Sequence, residues 1–119
     1  MRETKKLVAT IIKGLQEKKG KRIVTLDLTE IPGAICQYFV ICEGNTPTQV
    51  SALSDSVWDE VATQLKEKPL GAIGMKEAQW IAMDYGTVIL HIFLPGLREY
   101  YNLEHLWEDA KKEEIEDII

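Results

Sequence analysis

The stretch YFVICEGNTPTQ, residues 38–49, decides the fold more than any other part of the chain. It begins with five consecutive β-prone side chains, which is typical of an interior strand that is buried on both faces. Thr46 then offers a hydroxyl cap, Pro47 fits the first position of a helix, and Gln49 completes a capping box three residues after the cap. The stretch therefore predicts a central strand that leads directly into a helix over residues 47–66.

Apolar side chains recur with two different periods in the residues before this stretch. In residues 3–19 the apolar side chains recur at the spacing of one helical face, with lysines opposite, and Gly20 marks a helix stop. Residues 22–28 alternate instead, which predicts a strand with Val24, Leu26 and Leu28 on one side. The chain therefore starts with a helix and a strand.

The residues after the central helix are rich in β-formers and then in helix formers. The pattern of residues 70–77 predicts a loop or a short edge strand. Residues 79–84 and 87–94 are predicted to form a hairpin around Tyr85-Gly86. Residues 97–119 are helical in composition, with an interruption near Asn102. The whole order predicts a single α/β domain, with a mixed sheet of four to five strands flanked by helices.

The composition agrees with one ordinary globular domain. The chain has 119 residues, of which 45% are hydrophobic and 28% charged. No apolar run approaches the roughly 18–20 residues that a membrane span needs, and the N-terminus lacks the apolar core of a signal peptide. We therefore expect a cytoplasmic protein with no membrane association.

The net charge of −5 is distributed unevenly along the chain. Residues 2–22 hold eight basic and two acidic side chains, whereas residues 104–119 hold seven acids and two lysines. Binding to naked nucleic acid requires clustered cations, so we expect little direct nucleic-acid binding. A basic protein surface is the more natural partner, although two solvated helix faces would also explain the pattern.

The motifs of common enzymes are missing from the sequence. The two histidines are far apart in sequence and neither lies near a Cys-x-x-Cys pair, so no metal site is predicted. Cys36 and Cys42, in a chain without an export signal, are expected to be two buried or half-buried thiols. No Asp-x-Asp pair is present to hold Mg²⁺ for nucleotidyl transfer. Gly44-Asn45-Thr46 ahead of a helix resembles a phosphate loop only weakly, because a capped turn explains the same residues. We therefore expect no metal, no cofactor and no catalytic residue.

A dense group of aromatic and charged residues late in the chain points to binding instead. Trp, Tyr and Arg dominate the centres of protein interfaces because they bury a large area and carry one polar handle. The group consists of Trp80, Asp84, Tyr85, His91, Arg98, Tyr100, Tyr101, His105 and Trp107.

Three motifs in the chain resemble those of the Iojap family, the ribosomal silencing factors. The first is YFVICEGNT with Gln49-Val50, the second is WIAMDYGTVILHIF at residues 80–93, and the third is REYYNLEHLW at residues 98–107. The resemblance covers about residues 5–110 in the order and spacing of the family. It divides the chain into a family domain, residues 1–110, and an acidic C-terminal extension, residues 111–119.

The chain departs from the family pattern at three places. Gln37 stands where the family usually has an acid, and Gly44-Asn45-Thr46 replaces its Gly-x-Ser. Most members end soon after the Leu-Trp pair, whereas this chain adds the acidic extension. The role of the missing acid and the role of the extension therefore do not follow from the resemblance.

The resemblance implies a nucleotidyltransferase-like topology without the catalytic residues, and a factor that is not an enzyme. It implies binding to the fourteenth protein of the large ribosomal subunit, on the face that meets the small subunit. Bound there, the factor would block subunit joining and repress translation when nutrients are short. Members are often homodimers. Two alternatives remain: a nucleotide-binding or nucleotidyl-transferring enzyme that uses the loop Gly44–Thr46, and a general homodimeric adaptor without a ribosomal role.

The contact surface is predicted on the hairpin and the residues that follow it. Trp80 and Tyr85 are expected to be buried anchors, Asp84 and Arg98 to set the register through charged hydrogen bonds, and Glu104 to face a basic residue of the partner. His91 and Tyr101 complete the predicted surface. Leu103, Leu106 and Trp107 are assigned mainly to packing.

Overall fold

Two parallel strands, β2 and β5, form the centre of the sheet in the computed structural model, which describes residues 3–118. The sheet has six strands in the order β3-β4-β5-β2-β1-β6, and every other neighbouring pair is antiparallel. The strands are β1 (Lys21–Asp27), β2 (Tyr38–Glu43), β3 (Gly71–Ile73), β4 (Trp80–Asp84), β5 (Val88–Phe93) and β6 (Lys111–Glu114). The helices are α1 (Thr4–Glu17), α2 (Pro47–Leu65), α3 (Pro95–Tyr101) and α4 (Leu103–Leu106).

The two faces of the sheet have separate cores. On the helix face, α1 and α2 pack over Val40, Cys42, Leu90 and Ile92 of the central strands. On the opposite face, a second core is covered by α3, α4 and the loop of residues 28–37. β2 is buried along almost its whole length, which confirms the predicted interior strand.

The start of α2 is capped as the sequence predicts, with one difference. The Thr46 hydroxyl accepts a hydrogen bond from the Gln49 amide at 3.1 Å. The Gln49 side-chain oxygen accepts from the Asn45 amide at 2.8 Å, one residue earlier than in a standard capping box. α2 ends at Leu65, where Lys66 takes the left-handed conformation. The cap therefore also orders the loop that joins β2 to α2.

The two helices of the helix face approach each other closely at Gly14. A Cβ there would lie 2.9 Å from the Val57 Cα, and the Ser56 hydroxyl donates to the Gly14 carbonyl at 2.7 Å. A side chain at position 14 would push α2 away from α1. Glycine is required here by close packing of the two backbones.

The C-terminal region corrects the prediction of a helix over residues 97–119. Two short helices are separated at Asn102, as expected, but residues 111–114 form β6 and pair with β1. The backbone N–H and C=O groups on the outer edge of β1 find hydrogen-bond partners in β6. The free energy gained by this pairing outweighs the helical preference of the charged segment. Because β3 and β6 both form, the sheet has six strands rather than four or five.

Gly74 follows β3 and tests how tightly the edge of the sheet is built. Its φ is +81°, and an added Cβ would overlap the Trp80 carbonyl oxygen. We expect Gly74→Ala to destabilise the fold by about 3 kcal/mol or more, because overpacking adds to the left-handed strain. Gly33, at φ +78° with open space around it, is the matched control, and Gly33→Ala should cost about 1 kcal/mol. Equal losses in urea unfolding would show that the overlap is relieved at no cost.

Candidate functional site

The second face of the sheet is covered unevenly, and this leaves an exposed surface over β3 and β4. The register places Ile73, Ala82 and His91 in one row across β3, β4 and β5, so their side chains share a face. The elements that cover this face pack over β1, β2 and part of β5. We call the less covered part the open face; it consists of Ile73 and Asp84, which are exposed, and of Trp80, Ala82 and Ile89, which are half-buried. Trp80 and Ile89 also pack against the second core.

An aromatic stack forms one end of the open face. The Trp80 ring lies 4.9 Å from the Phe93 ring and 4.6 Å from the Tyr101 ring, measured between centroids. Phe93 is buried, whereas Tyr101 on α3 is 47% exposed. Trp80 is therefore held from below and from the side, and its outer surface remains available.

His91 lies beneath this surface rather than on it. The Trp80 Nε1–H donates to His91 Nδ1 at 3.1 Å, so the neutral imidazole carries its proton on Nε2. Nε2 is buried and has no hydrogen-bond partner among residues 3–118. Burial lowers the pKa of His91 to about 4, which keeps the ring neutral.

Asp84 is the charged residue of the open face. Its Oδ1 accepts a hydrogen bond from the Gly86 amide at 2.7 Å, which closes the turn between β4 and β5. The residue is exposed, so its second oxygen is free to accept from a partner. The predicted charged contact is sterically available here.

Tyr85 lies on the other side of the sheet from the predicted surface. The sequence places Tyr85-Gly86 in the turn, but the Tyr85 amide donates to the Val88 carbonyl, so the two-residue turn is Gly86-Thr87. Tyr85 therefore continues the alternation of β4, in which Ile81 and Met83 also face the helix side. Tyr85 is therefore 2% exposed within the core of the helix face, and it anchors the hairpin internally.

Arg98 is also inside the molecule, where it forms an ion network. Its Nε donates to Glu104 Oε1 at 3.0 Å, and its Nη1 donates to the Arg22 carbonyl at 2.6 Å and lies 3.3 Å from Glu43 Oε1. Arg22 and Lys112 complete the network through Glu43 and Glu104. Arg98 is 3% exposed, so it holds α3 and α4 against the sheet.

Glu104 faces basic residues of its own chain instead of a partner's. Burial raises the pKa of Glu104, but hydrogen bonds and the charges of Arg98 and Lys112 outweigh it and lower the pKa below its ordinary value. The carboxylate is ionised and paired, and it joins α4 to β6.

The structure therefore brings together only part of the predicted surface. Trp80, Asp84 and Tyr101 are accessible on one side of the sheet, His91 supports Trp80 from below, and Tyr85, Arg98 and Glu104 serve the fold. Leu103 and Trp107 pack as predicted, but Leu106 is 69% exposed, contrary to its assignment to packing.

Sequence reasoning missed three residues of the open face, which are Ile73, Ala82 and Ile89. Alternation along β4 already separates Ala82 from the buried Ile81 and Met83, and that signal could have found it. Ile73 lacks such a signal, because only the pairing of β3 with β4 places it beside Ala82.

The loop Gly44–Thr46 gives little support to a phosphate site. The Asn45 and Gln49 amides, which could bind a phosphate, already donate to Gln49 and Thr46 side chains. A Cβ on Gly44 would meet Val50 at 3.0 Å, so close packing accounts for the glycine. Both cysteines are free, Cys42 buried and Cys36 half-buried, as predicted.

Residues 3–118 contain no group of three or more His, Cys, Asp or Glu side chains placed to hold a metal ion. Within the same described part, no helix has the length and apolar character to cross a membrane.

Comparison with known proteins places the chain among ribosomal silencing factors. A family model described as "Ribosomal silencing factor during starvation" matches residues 1–119. A ribosomal silencing factor of Halalkalibacterium halodurans is 34% identical over 113 residues, which is 95% of each chain. Another, of Bacillus subtilis, is 37% identical over 97 residues, 79% of this chain and 78% of the relative. A crystal structure of a Chromobacterium violaceum protein matches with a TM-score of 0.84 at 30% identity, covering 90% of this chain and 88% of the other.

The buried His91 makes stability depend on pH. In the unfolded chain His91 binds a proton near pH 6.5, but in the folded chain only near pH 4. The stabilisation of the fold by neutral His91 is therefore complete above pH 6.5 and is lost as the pH falls towards 4. We expect a loss of about 3 kcal/mol of unfolding free energy over this window. Urea unfolding at several pH values checks this, with His91→Asn, which removes the titration, as the test variant. The exposed His105, changed to Gln, is the control, and an unchanged slope in His91→Asn would contradict the assignment.

The ion network predicts unequal effects of its two arginines. Arg98→Met leaves the buried Glu43 and the partly buried Glu104 without their shared cation and should cost about 3 kcal/mol or more in unfolding free energy. Arg22→Met removes a half-exposed partner of Glu43 and should cost about 1 kcal/mol or less. Thermal and urea unfolding compare the two variants, and equal losses would argue against Arg98 as the centre of the network.

Proposed function

Because the chain belongs to the ribosomal silencing factor family, whose role is regulatory and acts on the ribosome, we propose that it binds the large ribosomal subunit and prevents the small subunit from joining. Translation would then be repressed when nutrients are limiting, in keeping with the description of the family model. We propose that the protein acts in the cytoplasm and that its effect is not enzymatic.

The finer proposal concerns the molecular partner. We take it to be the fourteenth protein of the large subunit, on the face that meets the small subunit, as the resemblance of the three motifs implies. A body bound at that place blocks docking of the small subunit by steric exclusion. Each 1.4 kcal/mol of binding free energy changes the dissociation constant about tenfold.

The open face is the observation that supports binding to a protein. It exposes Ile73 at 71%, holds Trp80 in a stacked arrangement, and carries one accessible carboxylate, Asp84. An aromatic anchor in an apolar surface with a polar edge is typical of interface centres. This chemistry differs from that of RNA-binding surfaces, which need rows of cations.

Charge also favours a basic protein partner. The lysines of α1 lie in the layer that covers the helix face, on the other side of the sheet from Asp84. Potentials of opposite sign accelerate the encounter of partners, and ribosomal proteins are rich in Lys and Arg. Asp84 is therefore proposed to accept a charged hydrogen bond from the partner.

The accessibility of each side chain separates the proposed contact residues from those that support them. Direct contact is proposed for Trp80, Asp84 and Tyr101 from the predicted set, and for Ile73, Ala82 and Ile89 from the open face. His91, Tyr85, Arg98 and Glu104 act through the residues they hold in place. We retain the homodimer as a proposal, and sedimentation velocity of the protein alone over a range of concentrations tests it.

Binding to ribosomal particles tests the function directly. We expect the protein to sediment with isolated large subunits but not with small subunits, and to lower the fraction of joined ribosomes when subunits are remixed. Absence of binding to large subunits at micromolar concentration would contradict the proposal. Titration calorimetry with nucleoside triphosphates and Mg²⁺ tests the enzymatic alternative, for which we expect no heat.

Two substitutions test the open face as the contact surface. Trp80→Ala should weaken binding to large subunits about thirtyfold, since loss of an interface anchor costs about 2 kcal/mol or more. Ala82→Arg should weaken it at least as much, because a long charged side chain would separate the surfaces. Ala9→Arg, at an exposed position on α1, is the matched control and should leave the affinity unchanged. Full binding by a folded Ala82→Arg protein would exclude the open face.

A further inference from the structure

We propose that His91 is a positioning residue, which sets the orientation of Trp80 on the open face through one hydrogen bond and does not itself touch the partner. The role rests on the proposed function, because Trp80 is the anchor of the proposed contact. It assigns to His91 a task in binding that its burial would otherwise exclude.

His91 is placed to act on Trp80 and not on a partner. Ala82 and His91 are directly opposite each other on β4 and β5, and Trp80 is two residues before Ala82 on the same face. The imidazole is 7% exposed, and its Nε2 is buried. A partner docked on the open face therefore meets Trp80 and Ala82 above the imidazole.

Stacking alone does not determine how the indole is rotated. The Trp80 ring is inclined at 25° to Phe93 and at 41° to Tyr101. A half-turn about the Cβ–Cγ bond of Trp80 moves Nε1 to the other edge but leaves the plane of the indole nearly unchanged, so stacking favours neither orientation strongly. A hydrogen bond of 3.1 Å between Trp80 Nε1 and His91 Nδ1 depends strongly on direction and selects one rotation.

This rotation determines what Trp80 offers to a partner. The polar atom of the indole is turned inward, so the outer part of the ring is apolar. The partner does not have to satisfy an indole N–H and meets a surface suited to aliphatic groups, including the methylene stems of Lys and Arg. His91 therefore affects specificity as well as affinity.

The His91 Nε2–H, for which residues 3–118 supply no acceptor, distinguishes this role from simple core packing. A buried donor without an acceptor destabilises a fold, and an apolar residue of similar size would avoid that cost. If His91 served only to fill space, His91→Leu would leave binding unchanged. If it positions Trp80, the same variant would lose affinity while remaining folded.

The test is a double-mutant cycle between Trp80 and His91, read as affinity for isolated large subunits. His91→Leu should weaken binding about fivefold, whereas His91→Asn, whose side-chain oxygen can replace Nδ1 as acceptor, should stay within about twofold of the unchanged protein. In a Trp80→Phe background, which has an aromatic ring but no N–H, His91→Leu should not weaken binding further. Thermal melting confirms that each variant is folded.

Nuclear magnetic resonance of the indole N–H gives a second readout that needs no ribosome. The Trp80 resonance, assigned by its loss in Trp80→Phe, should be protected from solvent exchange in the unchanged protein and in His91→Asn, but not in His91→Leu. Full affinity of His91→Leu, or an equal loss in the Trp80→Phe background, would overturn the positioning role. If the unchanged protein does not bind large subunits while its indole N–H stays protected, the proposed function is contradicted, and so is the role of His91 in binding. Loss of protection in the unchanged protein would reject the hydrogen bond itself.

Discussion

The parallel pairing of β2 with β5 is the constraint on which the rest of the structure depends. Its register sets Phe39 beside Ile89 and Ile41 beside His91, so both strands present alternate residues to two different cores. Because both faces are buried at the centre, each neighbouring strand must match the same alternation. A one-residue slip of β4 against β5 would turn its buried side chains to the wrong face, so the alternation of the central strands decides which residues of β4 reach the open face.

The second face is covered by small elements, and this unequal coverage produces the proposed surface. α1 and α2 cover the helix face, whereas α3, α4 and a loop cover only part of the other. The network centred on Arg98 holds the two short helices in place and so fixes Tyr101 beside Trp80. A charge cluster inside the molecule thus determines the shape of an apolar surface outside it.

Much of the fold was predictable because its signals are local. The cap at Thr46, the run of residues 38–42 and the period of α1 each depend on neighbours within a few residues. The strand β6 was not predictable in this way, since its charged residues favour a helix until β1 offers backbone partners. Composition and the motif resemblance predict Trp80 and Asp84 for the contact surface, whereas Ile73 joins the proposed surface only through the pairing of β3 with β4.

The class of fold, the central strand and helix, and the family to which the motifs point can be inferred from residue types at fixed spacings. Which of the aromatic and charged residues are buried depends also on turns and on contacts between distant parts of the chain. Tyr85 is five residues after Trp80, so strand alternation places it on the opposite face, but only because the turn begins at Gly86 and leaves Tyr85 paired within the hairpin. Arg98 is buried because Glu43, 55 positions earlier, lies beside it. Such contacts depend on the register of distant strands, which no local pattern contains.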